Sequence, residues 1–372
     1  MSYRIDLIAA ARPNFMKVAP IHRALIATGG LFQPRLVHTG QHYDENMSGA
    51  FFRDLGLPAP DADLEVGPGT HAEQTGRVMI AYEKLCMQAR PEFTIVVGDV
   101  NSTLACTLAA AKLNIPVAHL EAGLRSGDRT MPEEINRLAT DAIADVLWTP
   151  SPDADENLLR EGVPQTRICR VGNVMMDALE MSRDRIEQRR FARELGLPPG
   201  AYAIVTLHRP ANVDEAAQLA RVVATLETCA MRMPLVFPVH PRTRKRLVDF
   251  GLWAQVERCA AIRVLEPVGY IEFMSLLFTS AAAITDSGGL QEETTYLGIP
   301  CMTLRENTER PITLAEGTNR LVRLEDVPAM LELVGKREWP TGRKPALWDG
   351  HTARRVVDDL KRRLFIDAAA AE

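Results

Sequence analysis

Apolar runs long enough to cross a bilayer are missing from the 372-residue chain. The first residues, Met1-Ser2-Tyr3-Arg4-Ile5-Asp6, show no basic segment followed by a long apolar one, so no secretory signal is read and a cytoplasmic protein is expected. Cysteine is scarce and scattered. Cys86, Cys106, Cys169, Cys229, Cys259 and Cys301 form no C-x-x-C pair, which argues against a disulfide framework or a thiolate metal site and fits free thiols in a reducing compartment. A strong excess of one charge is missing too. With 43 Lys and Arg against 48 Asp and Glu the net charge is −5, so no nucleic acid or membrane partner is expected and any polyanion site must be local. What remains is the balance of a globular enzyme, 46% apolar and 24% charged, at a length that allows two or three domains.

The apolar residues come in short runs alternating with longer helical patterns, as in parallel sheets buried on both faces. Strands are expected at 5–10, 35–39, 93–98, 117–120 and 146–149, with helices over 16–28, 72–89, 102–113, 133–144 and 153–161. A short strand ends near 167–173 and a highly charged helix covers 177–196. Leu197-Pro198-Pro199-Gly200 then breaks the chain, and a hinge is expected there. Alternation resumes with strands at 202–207, 235–239, 262–265, 282–285 and 301–304, and helices near 214–230, 242–250, 270–280 and 289–297. The fold class is therefore α/β, with two doubly wound Rossmann-like domains, 1–173 and 174–350, facing a central cleft. Ligands of such sheets bind beyond the carboxyl ends of the strands, so a shared site is expected. Spacing alone leaves open which half the final helix covers.

Thr285-Asp286-Ser287-Gly288-Gly289 follows a strand and opens a helix, so its backbone N–H groups can approach a phosphate where a helix dipole begins. The same residues also make an ordinary strand-to-helix turn with Ser287 as N-cap. After Gln291, Glu292 and Glu293 add carboxylates near the helix start, one of which can accept hydrogen bonds from a ribose diol. Arg12 and Lys17 flank the start of the first helix, where a cation opposes the dipole and suits an anionic ligand. Arg209 and Arg310 follow other strands. Gly67-Pro68-Gly69 lacks the strand and the third glycine of a dinucleotide fingerprint. Asp61-Ala62-Asp63 and Asp153-Ala154-Asp155 are read as structural, and His38 and His42, separated by Thr39-Gly40, as no zinc pair.

Asp99 and Glu121 fall at the carboxyl ends of neighbouring strands, within Gly98-Asp99 and His119-Leu120-Glu121-Ala122-Gly123. Glu133 and Glu134 open a helix after Pro132, a pattern equally ordinary for any helix N-terminus. His208 and His240 end successive strands of the second half, His208 beside Arg209, which favours a phosphate-facing role over an isolated structural one.

These segments resemble the non-hydrolysing UDP-N-acetylglucosamine 2-epimerases from Ala11 to about Val322. The likeness is carried by Arg12-Pro-Asn-Phe-Met-Lys17, Thr39-Gly-Gln-His42, Gly98-Asp99, His119-Leu-Glu-Ala-Gly-Leu-Arg125, Pro132-Glu-Glu-Ile-Asn-Arg137, Val171-Gly-Asn173, His208-Arg209, Thr285-Asp-Ser-Gly-Gly-Leu-Gln-Glu-Glu293 and Asn307-Thr-Glu-Arg-Pro311. The resemblance implies a glycosyltransferase B-type fold whose C-terminal helix, 351–366, returns to the first domain. It also implies a cytoplasmic homodimer that interconverts UDP-GlcNAc and UDP-ManNAc without metal or other cofactor. Asp99, Glu121, Glu133 and His208 are implied as catalytic. Arg12, Lys17, Arg137, Arg209, His240, Phe273, Ser287, Gly288, Gly289, Glu293 and Arg310 are implied as substrate contacts. Epimerisation of a related UDP-diacetamido sugar, sugar transfer on the same fold, and non-catalytic nucleotide-sugar sensing are the rival readings. The chain departs from the family at Asn14, often Glu, in the shorter 127–132 segment, and around Asp44 and Pro68-Gly69. Many bacterial members bind a second, activating UDP-GlcNAc through glutamines near Gln41 and an Arg-Gln pair downstream; Gln41 and His42 remain here but Asp44 and Pro68-Gly69 do not match, so such activation is not expected.

Overall fold

A computed structural model of the chain describes residues 2–10, 12–40 and 56–370, without the side chains of 12, 13 and 365–370. Two compact units are present, Met1–Met181 with Ala346–Glu372, and Ser182–Pro345. Among the described residues no helix is long and apolar enough to cross a membrane.

The first unit is a parallel sheet of β1 (Tyr3–Ala9), β2 (Phe32–His38), β3 (Ala62–Asp63), β4 (Phe93–Val97), β5 (Val117–Leu120), β6 (Val146–Thr149) and β7 (Ile168–Arg170), in the order β3-β2-β1-β4-β5-β6-β7. Helices α1 (Arg12–Ile26), α2 (His71–Gln88), α3 (Asn101–Lys112), α4 (Pro132–Ile143) and α5 (Pro152–Arg160) connect the strands, and α6 (Val174–Arg189) carries the chain out of the unit. Strands β4, β5 and β6 are buried throughout, which is why their sequences are mostly apolar rather than alternating, with Thr94, His119 and Thr149 as the buried polar exceptions.

The second unit repeats the plan with β8 (Ala203–Thr206), β9 (Leu235–Pro238), β10 (Ile262–Leu265), β11 (Ala282–Thr285), β12 (Cys301–Thr303) and β13 (Asn319–Leu321), ordered β10-β9-β8-β11-β12-β13 and again parallel. Its principal helices are α7 (Ala216–Ala230), α8 (Pro241–Asp249), α9 (Tyr270–Leu277), α10 (Gly288–Leu297) and α11 (Val327–Gly335). In both sheets the strand order reverses beside the first strand, at β1/β4 and at β8/β11. Loops diverge at such a point and leave room for a ligand.

The long charged helix expected over 177–196 is shorter: α6 stops at Arg189, and Arg190 takes a positive φ of 45° before a single turn at Phe191–Glu194. The Pro198-Pro199-Gly200 break lies inside the second unit, and the chain passes between units within α6 instead. Strands β3 and β13 and helix α11 add to the expected elements; both strands are edge strands of two and three residues, too short for a periodic signal.

The last helix, α12 (Thr352–Ala370), belongs to the first unit. Asp177 of α6 accepts the N–H groups of Thr352 at 3.1 Å and Ala353 at 2.8 Å, replacing two of the partners a helix start lacks. Asp359 accepts the indole N–H of Trp148, a wholly buried side chain of β6, at 2.8 Å.

Candidate functional site

At the switch point of the first sheet, β4 ends in Gly98, whose φ of +69° turns the chain sharply into α3. A Cβ at this position would stand 3.4 Å from both Asn14 Nδ2 and Lys17 Nζ of α1, and 3.7 Å from Glu121 Oε2. These are ordinary contact distances, so it is the left-handed φ rather than crowding that calls for glycine where these groups gather above the strand end. Asn14 donates to the Val97 carbonyl at 3.1 Å, and the Lys17 ammonium pairs with Glu121 Oε2 in a nearly water-free contact. Glu121 sits just past β5 with φ +72°, a left-handed conformation that costs a non-glycine residue roughly 1–2 kcal/mol. Its Oε1 is buried with no hydrogen-bond partner among the described residues. Strain and an unsatisfied carboxylate oxygen in one residue are features that cluster at catalytic positions.

Asp99 follows directly, with its side chain about one-third exposed. Arg137 of α4 donates to its Oδ2 from Nε at 3.0 Å and Nη2 at 2.8 Å, and reaches Glu134 with its remaining nitrogen. Glu134 is buried and also accepts the N–H groups of Ser126 at 3.1 Å and Gly127 at 3.0 Å, so it shapes the loop before α4. Glu133 is exposed. Of the two neighbouring acids, therefore, Glu134 is committed to structure and Glu133 is presented to solvent. Arg12 begins α1, its side chain outside the described residues, and Gln41 and His42 lie outside them entirely.

At the switch point of the second sheet the organising residue is Asp286, wholly buried just after β11. Its carboxylate accepts the backbone N–H of Arg209 at 2.9 Å, that of His208 at 3.0 Å, Asn212 Nδ2 at 3.1 Å and His208 Nδ1 at 2.9 Å. Burial works to raise its pKa, but the bonds and charge of His208, with Arg209 and Asn212, outweigh burial and hold it below the ordinary carboxylate value. His208 thereby directs Nε2 outward on a ring that is 40% exposed. The His240 ring lies 5.4 Å away, centroid to centroid, and its Nδ1 accepts the N–H of Arg242; burial first and His208 second lower its pKa.

Ser287 occupies the N-cap of α10, yet its hydroxyl makes no capping bond. Gly289 has open space where a Cβ would point, whereas a Cβ on Gly288 would come within 2.7 Å of Arg310 Nη1 and Glu309 Oε1. Arg310 bridges Glu309 and Glu292, and Arg305 holds the other oxygen of Glu309 at 2.8 Å. Arg209 donates from Nε to the Asp286 carbonyl at 3.0 Å, and burial, then Arg305, lowers its pKa. Phe273 is half-buried on α9, one helical turn past Gly269. Glu293 is enclosed beside Tyr270 and Glu292, and burial above all pushes its pKa up to about 8.

Sequence reading passed over Asp141, Arg305 and Glu309 as partners of the expected residues. A signal for Asp141 was there: Glu134, Arg137 and Asp141 recur at three and four residues, a polar stripe that on most helices faces water. On α4 that stripe is buried and Ile135 is exposed.

Two parallel, doubly wound sheets, each gathering charged side chains at its switch point, define an α/β enzyme suited to an anionic, nucleotide-like ligand. Comparison with known proteins narrows this. The family model described as UDP-N-acetylglucosamine 2-epimerase matches residues 26–361, and the chain belongs to that family. It is 41% identical over 364 residues to the UDP-N-acetylglucosamine 2-epimerase of Methanocaldococcus jannaschii, covering 95% of this chain and 98% of that one. To the UDP-2,3-diacetamido-2,3-dideoxy-D-glucuronate 2-epimerase of Pseudomonas aeruginosa it is 40% identical over 327 residues, 86% of this chain and 88% of that one. Among solved structures, M. jannaschii UDP-GlcNAc 2-epimerase in complex with UDP-GlcNAc and UDP matches with a TM-score of 0.86 at 39% identity, over 96% of this chain and 99% of that one.

Proposed function

We propose that the protein interconverts UDP-GlcNAc and UDP-ManNAc by eliminating UDP across C1 and C2 of the hexose and adding it back. The C2 hydrogen is not adjacent to a carbonyl, so its removal alone is too costly; losing UDP from C1 in the same process places the charge on a diphosphate. In the first half-reaction a carboxylate takes the C2 proton, the C2–H electron pair forms the C1–C2 double bond of 2-acetamidoglucal, and the C1–O pair leaves with UDP. In the second, a carboxyl group delivers a proton to the opposite face of C2 while a diphosphate oxygen reattacks C1. Electrons balance within the substrate. Proton transfer on both faces needs more than one acid/base group, and Asp99, Glu121 and Glu133 fill that need.

Lys17 and Arg137 hold two of these acids, and Arg12 joins them as a cation for the substrate. In the second unit the backbone N–H groups of Ser287, Gly288 and Gly289 take the diphosphate at the start of α10. Glu293 takes the ribose, while Arg209, His240, Phe273 and Arg310 complete the nucleotide contacts. His208, aimed by Asp286, hydrogen-bonds the departing diphosphate through Nε2. The observation that carries the reading is the strained, partly unsatisfied Glu121 meeting Lys17 above Gly98, one residue from Asp99.

The test is NMR in D2O with UDP-GlcNAc as sole substrate. Deuterium at C2 together with UDP-ManNAc is the expected result. UDP released only on addition of an acceptor sugar, with no exchange at C2, would establish a transferase instead, and binding without turnover a sensor.

A further inference from the structure

His119 lies on β5, two residues before Glu121, and its ring is wholly buried. Both ring nitrogens meet acceptors. Nδ1 is 2.6 Å from Asp141 Oδ1 on α4, and Nε2 is 2.7 Å from the carbonyl oxygen of Gly98 at the end of β4. A neutral imidazole has one N–H, so it would leave a lone pair facing one of these oxygens in a wholly buried site, at the cost of an orphaned buried acceptor. The alternative, a protonated Asp141 donating to a neutral ring, conflicts with the rest of that carboxylate's surroundings. Its Oδ2 accepts the Gly123 N–H at 3.0 Å and pairs with Arg125 Nη1 at 2.8 Å. Burial opposes ionisation of Asp141, yet His119, Arg125 and Gly123 together hold its pKa below the ordinary value.

We infer that His119 is a standing imidazolium that fixes the spacing of Asp99 and Glu121. It touches no substrate and is a positioning residue. Its Nε2–H holds Gly98, the residue before Asp99, and its Nδ1–H holds Asp141, which in turn holds Gly123, two residues after Glu121. One buried cation thus pins the two strand ends from which both acids project. The charged groups that face this cluster fall into pairs: Asp141 of α4 with Arg125, which also binds Glu161 after α5; Glu121 with Lys17 of α1; and Asp99 with Arg137, itself on Glu134. The inference rests on the acid–base roles proposed for Asp99 and Glu121.

The experiment is 15N NMR of the histidine rings in the full-length protein, with His119→Gln supplying the assignment. Bonded protons on both His119 nitrogens at neutral pH are expected, and Asp141→Asn should strip one of them. A bare ring nitrogen at neutral pH in the unsubstituted protein would overturn the inference.

His119→Gln keeps a donor for Gly98 but loses the charge and the bond to Asp141. It should lower kcat about a hundredfold, the scale of a misplaced reacting group, with KM little changed. A lower thermal midpoint with full kcat per folded molecule in both variants would make His119 merely structural and overturn its positioning role. Should His119→Gln fail to fold, Asp141→Asn and the ring signals still decide. Full turnover in Asp99→Asn and Glu121→Gln would instead overturn the acid–base reading, and with it the positioning role, while leaving the ring's protonation, read without substrate, as a separate result.

Discussion

Glu121 unites a strained backbone, a lysine partner and an unsatisfied oxygen, and such a residue is kept for chemistry rather than for packing. Glu121→Gln, Asp99→Asn and Glu133→Gln should each lower kcat by about a hundredfold or more while circular dichroism stays near that of the parent. Steady-state kinetics with UDP-GlcNAc checks this, and normal turnover in all three would remove them from the mechanism. Glu293 presents a different case. Its pKa rises from the ordinary 4.5 to about 8 on folding, so the folded chain holds this proton more tightly than the unfolded one. Its contribution to stability is complete below pH 4.5 and is lost as the pH climbs through 8. Glu293→Gln should abolish that loss, giving urea midpoints above the parent's on the alkaline side, and should weaken UDP binding about tenfold by calorimetry. The position of Asp99 and Glu121 after strands, and of Glu133 and Glu293 near helix starts, was legible in the sequence, because element ends and motif residues are local features. Which acid is buried, which is strained and which is presented to solvent was not, since Glu133 and Glu134 are neighbours in one helical turn and only tertiary packing separates them.

Helix α4 shows why an element can be read correctly in extent and wrongly in orientation. Its bounds, Pro132–Ile143, lie within one residue of the expected 133–144, because Pro-Glu-Glu marks a start in any context. Its inward face, however, is the charged one. Arg137 is engaged with Asp99 and Glu134, so Arg137→Ala should cost about 3 kcal/mol in urea unfolding, the lower end for breaking a buried pair, since Ser126 and Gly127 still donate to Glu134. Ile135→Lys, on the outward face, should stay within about 0.5 kcal/mol of the parent. The reverse ranking would mean that α4 packs as an ordinary amphipathic helix. Most other strands and helices were legible for the opposite reason. Runs such as Phe93–Val97 and Val146–Thr149 are apolar on both faces, broken only by a threonine each, and are wholly buried. The edge strands β3 and β13 carry too few residues to show a period, and α6 ends at Arg190 through a backbone conformation that no composition rule announces.

At the scale of the whole molecule, the two sheets were foreseeable from their alternating grammar, while the division of the chain within α6 and the placement of α12 were not readable from spacing. Asp177 couples these last two features, since it sits on α6 and caps α12. Asp177→Ala should destabilise the first unit by about 1–2 kcal/mol, the usual worth of a lost cap. In hydrogen exchange, protection should fall in α12 and β6 while β8 to β13 keep theirs; an even loss throughout the chain would contradict this assignment. Because α12 supplies the partner of the Trp148 indole, the first unit is stitched from segments on either side of the second unit in sequence. During translation, then, the unit that begins first is completed last. The later unit is synthesised before the closing helix of the earlier one, and until that helix docks the Trp148 indole lacks its Asp359 partner.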